Sequence, residues 1–175
     1  MKGSAAGARN VIAMHGTLPV AREPFAGLVP LGPDYAVEPV EQAFNWSECL
    51  ATVERGEWFV VAFRSVRKLD ADEALLDELD RRALAEAVGH SGLLHYFRGE
   101  MDGERRCLSM CVWEDRTRAR EAAALPKHTD AIAIAGASYT SYVLERYRLR
   151  KVEGSVDLVP IEPPQRSDAV NGASA

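Results

Sequence analysis

Hydrophobic and polar positions divide the chain into a proline-rich beginning, a patterned centre and a polar end. Prolines recur within residues 1–44 too often for a helix or a central strand. From residue 57 to about residue 151, apolar residues recur at the spacing of strands or of helices. We therefore predict an extended arm over residues 1–44, one folded domain over residues 45–153 and a C-terminal tail, partly disordered, over residues 154–175.

Four segments of the central part have the composition of strands. Residues 58–66 are almost continuously aromatic or β-branched, which is typical of a strand buried on both faces. Residues 93–99 and 105–113 flank an Asp102-Gly103 pair, which is a strong hairpin signal. Residues 139–151 alternate apolar and polar side chains toward their end, which predicts a long last strand.

Helical spacing separates these strands. Asp70 precedes apolar residues at helical spacing and predicts a helix that Gly89 ends. Asp115 opens a second helical region, which Pro126 divides because proline favours the first turn of a new helix. Asn45 is predicted to cap a short helix before the first strand.

The order strand, helix, strand, strand, helix, strand predicts an α+β protein with the ferredoxin-like βαββαβ fold. Both helices then cover one face of a four-stranded antiparallel sheet and leave the other face bare. Because the first strand is apolar on both alternations, we predict that a second copy buries this bare face, so that the protein is a homodimer that forms an α+β barrel. The arm is expected to lie along its own domain or across the partner subunit.

Charge and cysteine content exclude several classes of function. Twenty-one Lys and Arg residues stand against 26 Asp and Glu residues, a net charge of -5, and no basic stripe is present. This balance argues against nucleic acid as a partner. No apolar run is long enough for a signal peptide or a membrane span, so we predict no membrane partner and a cytoplasmic location. The three cysteines lack zinc-site spacing, so reduced thiols and no metal site are expected.

Alternation along the third strand predicts one wall of a ligand pocket. Cys107, Ser109, Cys111 and Trp113 share a face that is more polar than the opposite one. We therefore predict that Ser109, Cys111 and Trp113 contact a small-molecule ligand. Core packing is the alternative for Trp113, and an inert thiol is the alternative for each cysteine.

Four residues are candidates for catalysis. His95 and His128 could act as general bases, because the ordinary pKa of histidine suits proton transfer near neutrality. A hydrogen-bonded core position for His95 and a capping position for His128 stay open as alternatives. Arg64 interrupts an apolar strand and requires an anionic ligand or an acid, for which Glu145 is the alternative partner. Tyr142 could donate a hydrogen bond to a phenolate or carbonyl oxygen.

The segment from Cys107 to Leu149 has a recognisable pattern. It contains a strand that ends in Trp113, an acidic helix start at Glu114-Asp115, a Pro-x-His sequence at residues 126–128 and a tyrosine-rich last strand. This pattern resembles the second half of the dimeric α+β barrel superfamily, in particular its antibiotic-biosynthesis monooxygenase-like members. The resemblance covers little more than half of the chain.

The resemblance implies a pocket between the sheet and the helices for polycyclic phenols, small metabolites or haem. It implies a small-molecule pocket protein, a cofactor-independent monooxygenase-like oxidoreductase that acts on a phenolic or enolisable metabolite. Haem-degrading relatives have a second tryptophan where residues 120–123 contain no aromatic. No cofactor is predicted, and haem stays open as a ligand because His128 could bind its iron. The alternatives are a non-catalytic dimeric ligand-binding or stress-response module and an assembly subunit strapped to its neighbour by the arm.

Overall fold

The computed structural model describes residues 20–168, which form a mixed helix and sheet architecture. Its antiparallel sheet contains, in the described part, β1 (Arg55–Arg67), β2 (Leu93–Arg98), β3 (Arg106–Trp113), β4 (Tyr139–Val152), β5 (Ser155–Pro160) and β6 (Gln165–Asp168). The strand order is β2-β3-β1-β4-β5, and β6 also pairs with β4. Because the first four strands are all antiparallel in the order β2-β3-β1-β4, the topology is ferredoxin-like.

The predicted four-stranded sheet is wrong in its number of strands. β5 pairs with residues 147–152 of β4, and β6 pairs with residues 141–144. Glu153 and Gly154 both have positive φ, at 46° and 90°, and this left-handed pair makes the tight turn that returns the chain onto β4. Part of the expected tail therefore extends the sheet, while the end of that segment, residues 169–175, lies outside the described residues.

The helices are α1 (Val40–Ala43), α2 (Trp46–Cys49), α3 (Glu73–Gly89), α4 (Arg116–Ala123), α5 (Pro126–Ala133) and α6 (Ala135–Ser138). The break at Pro126 and the cap at Asp115 are confirmed, since Asp115 Oδ1 accepts from the Arg118 amide at 2.9 Å. The predicted cap at Asp70 is wrong, because Asp72 caps α3 by accepting from Leu75. No helix between residues 20 and 168 has the length and apolar content to cross a bilayer.

Helices α3 and α4 pack on one face of the sheet, which we call the helix side. The core there joins side chains of β1, β2 and β3 to α3 and α4, namely Phe59, Leu93, Trp113, Leu84, Ala87, Ala119 and Ala122. All of these side chains are buried. The odd-numbered residues of β1 and β3 therefore face the helices, as strand alternation requires.

The opposite face of the sheet is covered by the N-terminal arm of the same chain, so we call it the arm side. Large side chains of the arm and of the α2 segment that follows it, all at most 4% exposed, pack there: Phe25, Leu28, Val40, Phe44, Trp46 and Leu50. They contact even-numbered residues of β1 and β3, including Val60, Leu108, Met110 and Val112, and Leu149 of β4. The expectation of a bare face is therefore wrong. The homodimer stays a prediction, but the bare sheet face from which it was inferred is not present.

Asn45 fastens the arm instead of capping a helix. Its Oδ1 atom accepts from the Val29 amide at 2.8 Å, and its Nδ2 atom donates to the Gly27 carbonyl at 3.1 Å. The α2 helix has no side-chain cap. The predicted capping role is therefore wrong, because both ends of the Asn45 amide are engaged by the arm.

Candidate functional site

The residues predicted for one site lie on two faces of the sheet. Arg64 pairs with Leu108, and His95 pairs with Val112, and both partners belong to the core under the arm. Directly paired residues of antiparallel strands share a face, so Arg64 and His95 lie on the arm side. His128, Tyr142 and the three candidates of β3 belong to the helix side. A single site that contains all of them is therefore impossible in this fold.

Arg64 is fully engaged as a clamp on the arm. Its Nε atom lies 3.2 Å from a carboxylate oxygen of Glu145, so the expected ion pair is present. The two terminal nitrogens donate to the carbonyls of Tyr35, Ala36 and Glu38 at 3.1, 2.7 and 2.6 Å. Arg64 lines neither the small cavity on the helix side nor the larger hollow beside α1, α2 and β5, so the geometry favours a structural role.

His95 is buried beneath the arm, at 6% exposure. Neither ring nitrogen has a hydrogen-bond partner among the described residues. Burial lowers the pKa of His95 from 6.5 to about 4, because the charged imidazolium is poorly solvated there. The Phe25 backbone acts on the pKa in the opposite direction as a weak hydrogen-bond acceptor, so His95 occupies the core position that the sequence left open, with its hydrogen bonding incomplete.

The lowered pKa of His95 predicts an acid-sensitive stability. In the unfolded chain His95 binds a proton below about pH 6.5, whereas in the folded chain it stays neutral until about pH 4. The free energy of unfolding therefore falls as the pH falls through this window. Between pH 7.5 and pH 5 this group should reduce the free energy of unfolding by about 2 kcal/mol. Urea denaturation of His95→Leu should show that much less acid sensitivity than the original protein. Leu94→Val, which removes no titratable group from the neighbouring buried position, is the control and should keep the original pH dependence.

On the helix side, a small cavity of about 40 Å³ lies between the sheet and α3. Three aromatic or aliphatic side chains and several polar ones line it: Phe63, Leu76, Tyr139, Ser65, Ser109, Cys107, Arg67, Asp80 and Arg98. The β3 face that the sequence identified as more polar thus contributes Cys107 and Ser109 to its wall. This volume accommodates a group the size of a carboxylate or a few water molecules.

Charged side chains around this cavity form two ion-pair groups. Arg98 bonds to Asp77 and, at 3.3 Å, to Asp80, whose other oxygen accepts from the Tyr96 hydroxyl. Burial and the adjacent Asp80 raise the pKa of Tyr96, so this phenol remains a hydrogen-bond donor. Arg67, only 10% exposed, bonds to Glu73, which also accepts from Arg105 at 3.0 Å. Asp80 therefore presents a carboxylate of fixed orientation at the cavity.

Aromatic rings stand beside the polar groups. The ring of Phe63 lies 5.4 Å from that of Tyr139 and 5.5 Å from that of Tyr142. Burial raises the pKa of Tyr139 above its ordinary value, so its phenol is a donor and not an anion. This group, which includes the predicted Tyr142, offers a planar ligand an apolar contact surface next to the cavity.

The other predicted helix-side residues divide between wall and core. Burial raises the pKa of the Cys111 thiol to about 11, which disfavours the reactive thiolate. Trp113, 4% exposed, packs in the core of the helix side and does not line the cavity. His128, on α5, is half-buried; burial lowers its pKa, while Asp80 and Glu86 act in the opposite direction. Of the two histidines predicted as bases, only His128 is thus near the carboxylate of Asp80.

Sequence reasoning missed Arg67, Asp80 and Arg98. Asp80 carried a signal, because it occupies the buried stripe of α3, one turn after Leu76 and three residues before Ala83. A carboxylate at such a position requires a buried partner. The arginine partner lies 18 residues away in the next strand, so only the fold identifies it.

A larger hollow of about 390 Å³ lies between α1, α2 and β5. Its wall contains Phe44, Trp46 and Leu158, and its charged groups are the carboxylates of Glu41 and Glu48. None of the predicted site residues lines it. Within residues 20–168 no group of three His, Cys, Asp or Glu side chains is arranged to hold a metal ion.

These features define an α+β protein of ferredoxin-like topology, with its own arm on one face of the sheet and a polar cavity on the other. The chain belongs to the PB2B2.08-like family, whose model matches residues 19–163. No curated protein matches the sequence significantly.

Several solved structures are similar in part. They include protein SO0527 from Shewanella oneidensis, with 17% identity, 55% of this chain and 94% of that chain covered, and a TM-score of 0.48. SnoaB from Streptomyces nogalater, a cofactor-independent oxygenase, shows 20% identity over 53% of this chain and 90% of its own, with a TM-score of 0.41. A candidate antibiotic biosynthesis monooxygenase from Chloroflexus aurantiacus shows 16% identity, 67% and 97% coverage, and a TM-score of 0.37. The ferredoxin-like assignment rests on the strand order of this chain.

Proposed function

We propose that this protein binds a small molecule at the helix-side cavity and acts as a cofactor-independent, monooxygenase-like oxidoreductase on a phenolic or enolisable metabolite. The observation that supports the proposal is the partly buried polar cluster around the cavity, where a sheet-helix interface would otherwise be apolar. Such clusters in a cavity are typical of functional sites. The phenolic class follows from the aromatic rings of Phe63, Tyr139 and Tyr142.

Asp80 is the proposed base in place of His95, which lies on the arm side, and of His128, which does not line the cavity. Its carboxylate would accept the proton of an enol, a phenol or an acidic CH₂ group that enters the cavity, while Tyr96 and Arg98 hold it in place. The resulting anion reduces O₂; one oxygen atom enters the product as a carbonyl and the other leaves as water. The substrate supplies all four electrons, either from the CH₂ group or from the O–H and a ring C–H of a phenol that becomes a quinone, so the reaction requires no cofactor.

Oxygen uptake with anthrone, an enolisable aromatic ketone, tests the proposal. Its conversion to anthraquinone consumes one O₂ and releases one water, and the product is detected by its absorbance. Asp80→Asn should reduce the protein-dependent rate about 100-fold, since a positioned base typically contributes at least this factor. Asp77→Asn is the matched control, because Asp77 also bonds to Arg98 but does not line the cavity.

A non-catalytic ligand-binding module is the second candidate. The small volume of the cavity favours it, because the space holds one functional group of a ligand and does not enclose the whole ring system, as a closed reaction chamber would. Anthrone that binds with an Asp80-dependent affinity but is oxidised only at the spontaneous rate would support the binding module and contradict the oxidoreductase.

A further inference from the structure

One buried side chain at the cavity has hydrogen-bonding capacity that no described residue uses. Arg67 is 10% exposed, and its Nη1 atom bonds to Glu73. Its Nε atom is fully buried and makes no hydrogen bond of normal geometry within residues 20–168, although the guanidinium lies close enough to the Cys107 thiol to oppose the rise in pKa that burial causes there. A buried N–H group without an acceptor is destabilising, so this atom requires one.

Arg67 lines the helix-side cavity, so a ligand in this cavity can accept a hydrogen bond from its guanidinium. Arg67 lines the cavity together with Ser65 and Ser109, whose hydroxyls can each donate a hydrogen bond. In the register of the sheet, Arg67 lies opposite Tyr139 and Ser65 lies opposite both Cys107 and Tyr142. Neutral donors and one buried cation therefore occupy one end of the cavity.

We propose that the cavity binds the carboxylate group of a small monocarboxylic acid, through the Nε edge of Arg67 and the two serine hydroxyls. This proposal rests on the proposed function in that it takes the cavity as the ligand site. The Nε–H and one terminal N–H of a guanidinium point along the same edge and match the two oxygens of a carboxylate. The ligand would thus be a phenolic or enolisable acid, with its carboxylate at Arg67 and its acidic hydroxyl or CH₂ group toward Asp80.

Charge and size favour a carboxylate over a phosphate. Glu73, Asp77 and Asp80 already compensate Arg67, Arg98 and Arg105, so the cluster as a whole is neutral. A dianion would add two uncompensated charges near Asp80, whereas a monoanion adds one directly against a buried cation. The cavity of about 40 Å³ also fits a planar carboxylate better than a tetrahedral group.

Titration with benzoate and benzamide, followed by calorimetry and by NMR shifts of the cavity residues, tests the inference. The two probes have nearly the same shape, but only benzoate is charged. Benzoate should bind at least tenfold more tightly than benzamide. Arg67→Lys retains the charge but loses the guanidinium edge, and it should weaken benzoate binding at least tenfold while leaving benzamide unchanged.

Arg81→Lys is the matched control, because Arg81 is an exposed arginine of α3 that bonds to Glu78 on the same helix. It should bind benzoate like the original protein. Equal affinities for the two probes, or a folded Arg67→Lys variant that binds benzoate normally, would overturn the inference. If anthrone binds in an Asp80-dependent way but benzoate does not, the carboxylate site is wrong and the proposed function stands. If neither anthrone nor benzoate binds, the carboxylate site and the proposed function are both wrong.

Discussion

Replacing Arg64 with methionine should lower the free energy of unfolding by about 3–5 kcal/mol, because removal of one partner leaves the buried Glu145 charge uncompensated. Each side chain of this pair is 16% exposed. The substitution also removes the donors to the carbonyls of Tyr35, Ala36 and Glu38. Urea denaturation would measure the loss, and hydrogen exchange should show faster exchange in the arm than in α3.

Two further variants make this prediction specific. Arg148→Met changes an exposed arginine of the neighbouring strand β4 and should alter stability by no more than about 0.5 kcal/mol. The double variant Arg64→Met with Glu145→Gln removes the orphaned charge and should recover part of the loss. A single Arg64→Met variant as stable as the original protein would show that the clamp does not hold the arm.

Deletion of residues 1–44 should prevent this chain from folding as a monomer. The deletion removes Phe25, Leu28, Val40 and Phe44 from the arm side and exposes an apolar sheet face of Val60, Leu108, Met110 and Leu149. Burial of four such side chains contributes about 6–12 kcal/mol, which is comparable to the whole stability of a typical domain. Near-UV circular dichroism and light scattering after gel filtration would report loss of packing or association.

Deletion of residues 1–19, which lie before the described contacts, is the control and should retain the folded state. The oligomeric mass separates the two roles considered for the arm. If the full chain is a monomer and the truncated chain a folded dimer, the arm replaces a second copy on the sheet face. If the full chain is a dimer and the truncated chain has the mass of a monomer, the arm holds the two subunits together. A truncated chain that keeps both mass and thermal midpoint would contradict the prediction.

The separation of the proposed site residues follows from strand alternation in three dimensions. His95 and Tyr96 are neighbours in sequence, yet one lies beneath the arm and the other bonds to Asp80 on the helix side. A bulge between Leu93 and His95 shifts the register and fixes which of them faces which side. Without this shift, alternation alone does not assign His95 to a face.

By itself, the sequence determined the order of the four ferredoxin-like strands, the hairpin at Asp102-Gly103 and the helix break at Pro126. These features depend on local spacing and on the restricted backbone of Pro and Gly, so they are readable from neighbouring residues. Tertiary structure alone decided that the arm covers the sheet, that Arg64 clamps it, and that Arg67, Asp80 and Arg98 meet at one cavity. These contacts join residues 18 to 81 positions apart, and their partners are selected by packing and charge compensation after the sheet has formed.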